Sequence, residues 1–345
     1  MLVISAGPNA GHRPPFEVEG GELVPSQDVP DRVPALLSGL TDQRIEEVRT
    51  AEIADLMAVH DLGYVTFLRE ACAALTLARQ GDREPVLYPS VFPYRPGLAG
   101  RSLKARMGQY CFDTYTPLLA GTFDAALRTA SAALQAADRV LSGSERMAYA
   151  VGRPPGHHAE RDRCGGYSYL NGTALAAHRL AAAGPVAVLD VDVHHGNGTQ
   201  HLFYDRADVR TASIHGDPAE LFPHFSGFAD ETGTGPGHGA NRNFPLPTGT
   251  NDRAYQPALE AALEWLTGVR PAFLVVALGF DTHTADPIGG FGLSTEYFSR
   301  MAQTIQQLGV PTVLVQEGGY AVAHLGSCTG AFVRGWELGQ TVARQ

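Results

Sequence analysis

The chain predicts an α/β protein in which a mostly parallel sheet is covered by helices on both faces. Two observations carry this. From residue 147 onward, short apolar runs alternate with stretches of helical periodicity, the pattern of strands joined by helical crossovers. Five of those runs lead straight into residues that bind metals or move protons, and open parallel sheets bind ligands at the carboxyl ends of their strands.

In chain order, residues 1–6 read as a first strand; they lack a basic region followed by a long apolar stretch, so no signal peptide is expected. Residues 7–34, rich in Gly, Pro and acids, predict an ordered surface loop. Segments 33–40 and 43–48 read as helical. Residues 54–78 carry apolar side chains at helical spacing, with Gly63 marking a break between two helices. Residues 81–108 form a long connection punctuated by Pro85, Pro89, Pro93 and Pro96; loops this long serve function or an interface. This stretch contains Arg95, Arg101, Lys104 and Arg106 and no acid between Pro85 and Tyr110.

An Ala- and Leu-rich helix is predicted over 122–141. The alternation then runs strand 147–152, helix 170–183, strand 186–193, helix 198–204 and strand 209–215. A Gly-rich loop over 216–239 follows, then helix 253–268, strand 272–280, helix 294–307, strand 311–316 and a closing helix near 327–341. No repeat or low-complexity linker divides the 345 residues, so one domain, 1–345, is expected, with an insertion at about 81–108.

A hydrophobic content of 44% and charged content of 18% describe an ordinary globular chain. The net charge of −10 argues against nucleic acid as a general partner, which needs clustered Lys and Arg. No apolar run reaches the length of a membrane span. The four cysteines form no C-x-x-C pair and read as reduced thiols of a cytoplasmic protein.

The strand ends carry the chemistry. Asp192 and His194 stand two apart, which puts both side chains on one side of an extended segment. With Asp281 from another strand end they make an Asp-His-Asp set, three ligands that leave a position open, as in a catalytic zinc site. His157-His158 follow the stiff turn Pro154-Pro155-Gly156; two imidazoles beside such a site can act as acid, base and electrostatic partner. Asp190 and Asn197 lie in the right segment to hold their far nitrogens. Tyr320 follows Gly318-Gly319 and offers a phenol to a developing oxyanion. His60, His178, His201, His224 and His238 have no carboxylate at ligand spacing and read as structural or solvated.

The strings R-P-P-G-H-H, L-D-V-D-V-H-H-G-N-G-T, S-I-H-G-D-P, G-F-D-T-H-T-A-D-P and E-G-G-Y, in this order, resemble the histone deacetylase family, and most nearly its acetylpolyamine amidohydrolase branch. The resemblance covers nearly the whole chain. It implies the three-layer arginase/deacetylase fold with a central eight-stranded sheet, and hydrolysis of an N-acetyl amide of a small amine. It implies zinc, or ferrous iron, held by Asp192, His194 and Asp281, with His158 as general base and then acid. His157 would be an electrostatic partner bound to Asp190, and Tyr320 a donor to the substrate carbonyl. The backbone carbonyl of Gly166 would accept from the scissile amide, Tyr167 and Phe222 would wall the channel, and Glu17 would face a polyamine. A structural potassium ion is implied at Asp190, the Ser213 hydroxyl and the carbonyls of Asp192, His194 and Ile214. A second monovalent site is implied at the backbone of Phe203, Arg206 and Val209.

The resemblance also implies a homodimer through the 81–108 connection. Asn197 stands where some relatives have Asp, which predicts a lower pKa for His158 than in those relatives. The basic residues of 81–108 predict an entrance that repels a cationic tail and favours a neutral or anionic amide. His283 is expected near that entrance. Acetyl-lysine is a further alternative substrate.

Overall fold

Apolar runs too short for helices and buried on both faces pair most readily as parallel strands between helical layers. The computed structural model, which describes residues 1–79, 81, 84–93 and 102–342, has that architecture. Its elements in chain order are β1 (Leu2–Ser5), β2 (Glu17–Glu19), β3 (Glu22–Val24), α1 (Arg32–Ser38), β4 (Arg44–Glu47), α2 (Ile53–Leu56), α3 (Leu62–Ala78), α4 (Leu103–Met107) and α5 (Thr122–Leu141). There follow β5 (Met147–Val151), α6 (Gly172–Ala181), β6 (Val186–Asp190), α7 (Asn197–Phe203), β7 (Val209–Gly216), β8 (Asn241–Leu246), α8 (Asp252–Thr267), β9 (Phe273–Leu278), α9 (Thr295–Gln306), β10 (Thr312–Gln316) and α10 (Val322–Val342).

Eight strands form one all-parallel sheet in the order β4-β1-β5-β10-β9-β6-β7-β8. The five strands whose ends carry chemistry in the sequence are the five consecutive neighbours β5, β10, β9, β6 and β7. Helices α3, α5 and α6 cover one face, where small Ala side chains let α5 lie close to the sheet. Helices α1, α8, α9 and α10 cover the other, around Leu259, Phe298, Met301 and Phe332. Local signals set the helix starts: Asn171 accepts from Ala174 N at 2.8 Å and Ser294 from Tyr297 N at 3.2 Å.

Several expectations change. Residues 43–48 are not helical; β4 adds to the open edge of β1, and pairing with a neighbour outweighs the helix propensity of a Glu-rich stretch. The 7–34 loop contains a hairpin, β2–β3, turned at Gly20-Gly21. Strand β8 has no clear sequence signal because it is polar and contains Pro245, features that an edge strand tolerates. The break in 54–78 falls at 57–61, before Gly63, where Asp61 caps α3 through Gly63 N and Tyr64 N. Among the described residues no helix is long and apolar enough to cross a membrane, and the four cysteines are free and buried.

Candidate active site

Strands β6 and β9 deliver the three metal-ligand candidates to one point. Ligand atoms of Asp192, His194 and Asp281 all lie within 4.8 Å of one another, and all three residues are buried. His194 Nδ1 is 3.3 Å from Asp192 Oδ1 and 3.2 Å from Asp281 Oδ2. Backbone groups orient the carboxylates: Gly318 N donates to Asp192 Oδ2 at 2.7 Å and Val193 N to Asp281 Oδ1 at 2.9 Å. A Cβ at Gly318 would stand 2.1 Å from Asp281 Oδ2 and 2.6 Å from Asp192 Oδ2, so only glycine fits there.

The electrostatics of this set ask for a cation. Burial and then the Asp192 carboxylate push Asp281 up to about 8. Burial would lower His194, but its hydrogen bonds to Asp192 and Asp281 push it up to about 10. Two buried carboxylates beside an imidazole hold a proton where a dication would satisfy all three donors, so the residues present fit a divalent metal ion.

His157 and His158 stand beside this point, with ring centroids 4.0 Å apart. His157 Nδ1 lies 2.9 Å from Asp190 Oδ2, and His158 Nδ1 lies 2.8 Å from Asn197 Oδ1. Burial alone would lower His157; the Asp192 and Asp190 carboxylates outweigh it and push the group up to about 10. Burial holds His158 well below its ordinary value, reinforced by the charges of His157 and His194. The pair therefore divides into a charged and a neutral imidazole.

The site opens into a cavity of about 490 Å³. Its lining includes His158, His194 and Tyr320 at the floor, and Gly166, Tyr167 and Phe222 along the wall. The Phe222 ring stands edge-on to His158 at 5.0 Å. Gly166 has φ +52°, and a Cβ there would meet His158 Cδ2 at 2.2 Å. The Tyr167 hydroxyl donates to Glu17 Oε1 at 2.8 Å. Four carboxylates, Glu17, Glu19, Asp113 and Glu220, line the cavity, and no Lys or Arg does among the described residues. Burial above all, and then the charge of Glu19, push Glu17 up to about 7 against the Tyr167 hydrogen bond, and its Oε2 is buried with no partner. A larger cleft of about 690 Å³ at the amino ends of the strands, lined by Met1, Glu145 and Trp336, holds no comparable cluster.

Several expectations are corrected here. Arg106 pairs with Glu70 at 3.2 Å and covers the Phe67 ring, and neither it nor Lys104 lines the cavity. Arg95 and Arg101 lie outside the described residues. His283 is buried against Phe298 and bonded to Thr295, away from the entrance, because the chain turns back under α9 at that point. His224, read as structural or solvated, is on the cavity rim. His60 packs as expected, between Glu160 O and Asn171 N.

Sequence reasoning missed the residues that hold the site together. Glu317 is fully buried; its carboxylate accepts from Gly156 N at 2.6 Å, His157 N at 3.0 Å and Thr173 Oγ1 at 2.7 Å, clamping the histidine turn to the end of β10. Asp286 accepts from Tyr320 N at 2.7 Å and Ala321 N at 3.1 Å. Arg32 donates to the carbonyls of Gly319 and Glu317, each at 2.6 Å, and its guanidinium lies 4.5 Å from the Tyr320 ring centroid. Asp28 joins Arg32 to Arg153. Asp113 accepts from Gly166 N and sets the channel wall, and Phe112 lines it. An acid ending an apolar strand is a legible signal for Glu317; Asp113 and Asp286 sit in loops and give none.

The histone deacetylase domain matches residues 27–336. The chain belongs to the histone deacetylase family. It is 39% identical over 343 residues to acetylpolyamine amidohydrolase 1 of Pseudomonas aeruginosa, covering 98% of this chain and 99% of that one. It is 40% identical over 318 residues to the acetylpolyamine amidohydrolase of Mycoplana ramosa, covering 90% and 92%. The crystal structure of acetylpolyamine aminohydrolase from Burkholderia pseudomallei superposes with a TM-score of 0.92 at 37% identity, over 97% of this chain and 98% of that one. The HDA15 HD domain superposes with a TM-score of 0.80 at 25% identity, over 96% of this chain and 88% of that one. The fold is that of the arginase/deacetylase class, as the resemblance implied.

Proposed function

We propose that this chain is a metal-dependent amidohydrolase that removes acetyl from a small cationic amine, such as an acetylated polyamine, releasing acetate and free amine. One observation carries the reading: an Asp-His-Asp cluster opens into a cavity with His158 and Tyr320 at its floor, and four carboxylates but, among the described residues, no Lys or Arg line it. The names of the full-length relatives support it. The ground for a neutral or anionic amide is the basic connection; of its described cations, Arg106 pairs with Glu70 and neither it nor Lys104 lines the cavity.

A zinc or ferrous ion on Asp192, His194 and Asp281 would polarise the acyl carbonyl and acidify a water molecule. His158 carries its proton on Nδ1 toward Asn197, which leaves Nε2 to take a proton from the attacking water and pass it to the departing amine. His157, charged beside Asp190, stabilises negative charge gathering at the reacting carbon's oxygens. Tyr320 donates a hydrogen bond from its phenol to the oxyanion. Gly166 O accepts from the scissile N–H, while Tyr167 and Phe222 hold the methylene chain. Glu17, on the cavity wall, receives an ammonium.

A structural potassium ion at Asp190, Ser213, Ile214, Asp192 and His194 also fits. His215 is held down to about 4, chiefly by burial; as a neutral ring it donates from Nε2 to Gly227 O and accepts Ser213 O–H at Nδ1. The Ser213 lone pairs are then free for a hard cation. Val91 and Phe92, half-exposed in the 81–108 connection, offer apolar surface for a second copy.

The test is acetate release by protein loaded with zinc or iron(II), on acetylated polyamines, acetyl-lysine peptides and neutral amides. No release from any of them ends this reading; preference for neutral amides over the cationic substrates removes its substrate assignment.

A further inference from the structure

Asn197 is a weak orienting partner for a general base unless something sets its amide. An amide presents an oxygen on one side and an NH₂ on the other, and only the oxygen can accept from His158 Nδ1–H. Here Nδ2 donates to Glu160 Oε1 at 3.2 Å and to His158 O at 3.3 Å, while Oδ1 meets His158 Nδ1 at 2.8 Å. A flipped amide would set its oxygen against a carboxylate and a carbonyl, and its NH₂ against an N–H.

Glu160 is built into place. Its N donates to Arg163 O at 2.9 Å, and its O meets His60 Nδ1 at 2.9 Å. The side chain is buried, and Oε2 pairs with Arg163 Nη2 at 2.7 Å. A line of hydrogen bonds thus runs from the half-exposed Arg163 through Glu160 and Asn197 to His158.

We propose that Glu160 is a positioning residue for the hydrolysis: through Asn197 it keeps His158 in the tautomer with Nδ1–H, so that Nε2 is free to take the proton. This rests on the role of His158 proposed above. It also assigns a logic to the pair. Asn197 with Glu160 is donor facing acceptor. The substitution N197D alone would set two carboxylate oxygens about 3.2 Å apart with no donor between them. Adding E160Q to N197D restores a donor and an acceptor in the opposite sense.

The experiment is a double-mutant cycle on the metal-loaded protein, with kcat and KM for an acetylated amine measured for wild type, N197D, E160Q, the double variant and H158A. N197D is expected to lower kcat by about tenfold or more, E160Q by about threefold, and the double variant to stand within about threefold of wild type, with KM steady throughout. A double variant as impaired as the product of the two single losses overturns the proposal while H158A inactivity keeps the role of His158; an active H158A ends both. Should N197D fail to fold, nitrogen NMR of ¹⁵N-histidine-labelled E160A decides: loss of the His158 Nδ1–H tautomer with a fall in kcat supports the proposal, and an unchanged tautomer overturns it.

Discussion

Glu317 offers the sharpest test of how the site is built. Its carboxylate is fully buried and accepts three hydrogen bonds, two of them from the backbone of the histidine turn. Glu317→Ala leaves Gly156 N, His157 N and the Thr173 hydroxyl without a partner and without room for bulk water. At about 1–3 kcal/mol for each orphaned group the gross loss is about 3–9 kcal/mol. Against it stands the cost of burying the carboxylate, several kcal/mol that the variant no longer bears. The net expectation is a loss of up to about 5 kcal/mol, a large share of a domain's stability. Glu317→Gln behaves differently. Its amide oxygen still accepts from Gly156 and His157, and the Thr173 hydroxyl turns to accept from the NH₂, so the loss is about 1–2 kcal/mol. Urea unfolding of the two variants reads this difference through the midpoint at constant m. Activity should follow, with Glu317→Gln near wild type and Glu317→Ala reduced by about a hundredfold through displaced imidazoles. Equal destabilisation by both substitutions would refute the reasoning, since it would mean that the charge, and not the acceptor geometry, holds the turn.

Other outcomes follow from the same geometry. Tyr320→Phe should lower kcat by about 10²–10³-fold with little change in KM, read by steady-state kinetics, as loss of one oxyanion donor does. Asp281→Asn should abolish stoichiometric zinc or iron binding measured by metal analysis, and the wild type should melt at a higher temperature with metal than after chelation. Glu17 is neutral below about 7 and charged above it in the free protein, so KM for a cationic substrate should fall as pH rises through that value, and Glu17→Gln should flatten the profile. The free protein should show the opposite trend in stability. Its folded-state value lies above the ordinary 4.5, so the folded form binds the extra proton and loses stability as pH rises from about 4.5 to about 7.

Much of the chemistry was legible because it lies on strands. A strand end fixes direction, so D-x-H at the end of β6, Asp281 after β9 and G-G-Y after β10 converge once the sheet is parallel. The same periodicity failed where tertiary pairing overrode local preference, at β4 and β8. The supporting acids were hidden for another reason. Asp113 and Asp286 act on backbone N–H groups 53 and 34 residues away and Asp28 reaches Arg153 across 125, and no local pattern marks such partners; Glu317 shows itself as an acid ending a strand, but its partner Gly156 lies 161 residues away.

The sequence by itself determined the fold class and which residues meet at the candidate site, Asp192, His194 and Asp281 beside the histidine pair, because each follows from which residue type ends which strand. Only the tertiary structure decided what surrounds them. The basic residues of the 81–108 connection suggested a cation-repelling entrance. In three dimensions Arg106 turns to Glu70, and among the described residues acids from the first hairpin and from the segments around 113 and 220 line the cavity. Charge along a chain is a one-dimensional quantity; the potential in a cavity is the sum over whichever side chains the fold brings to its wall.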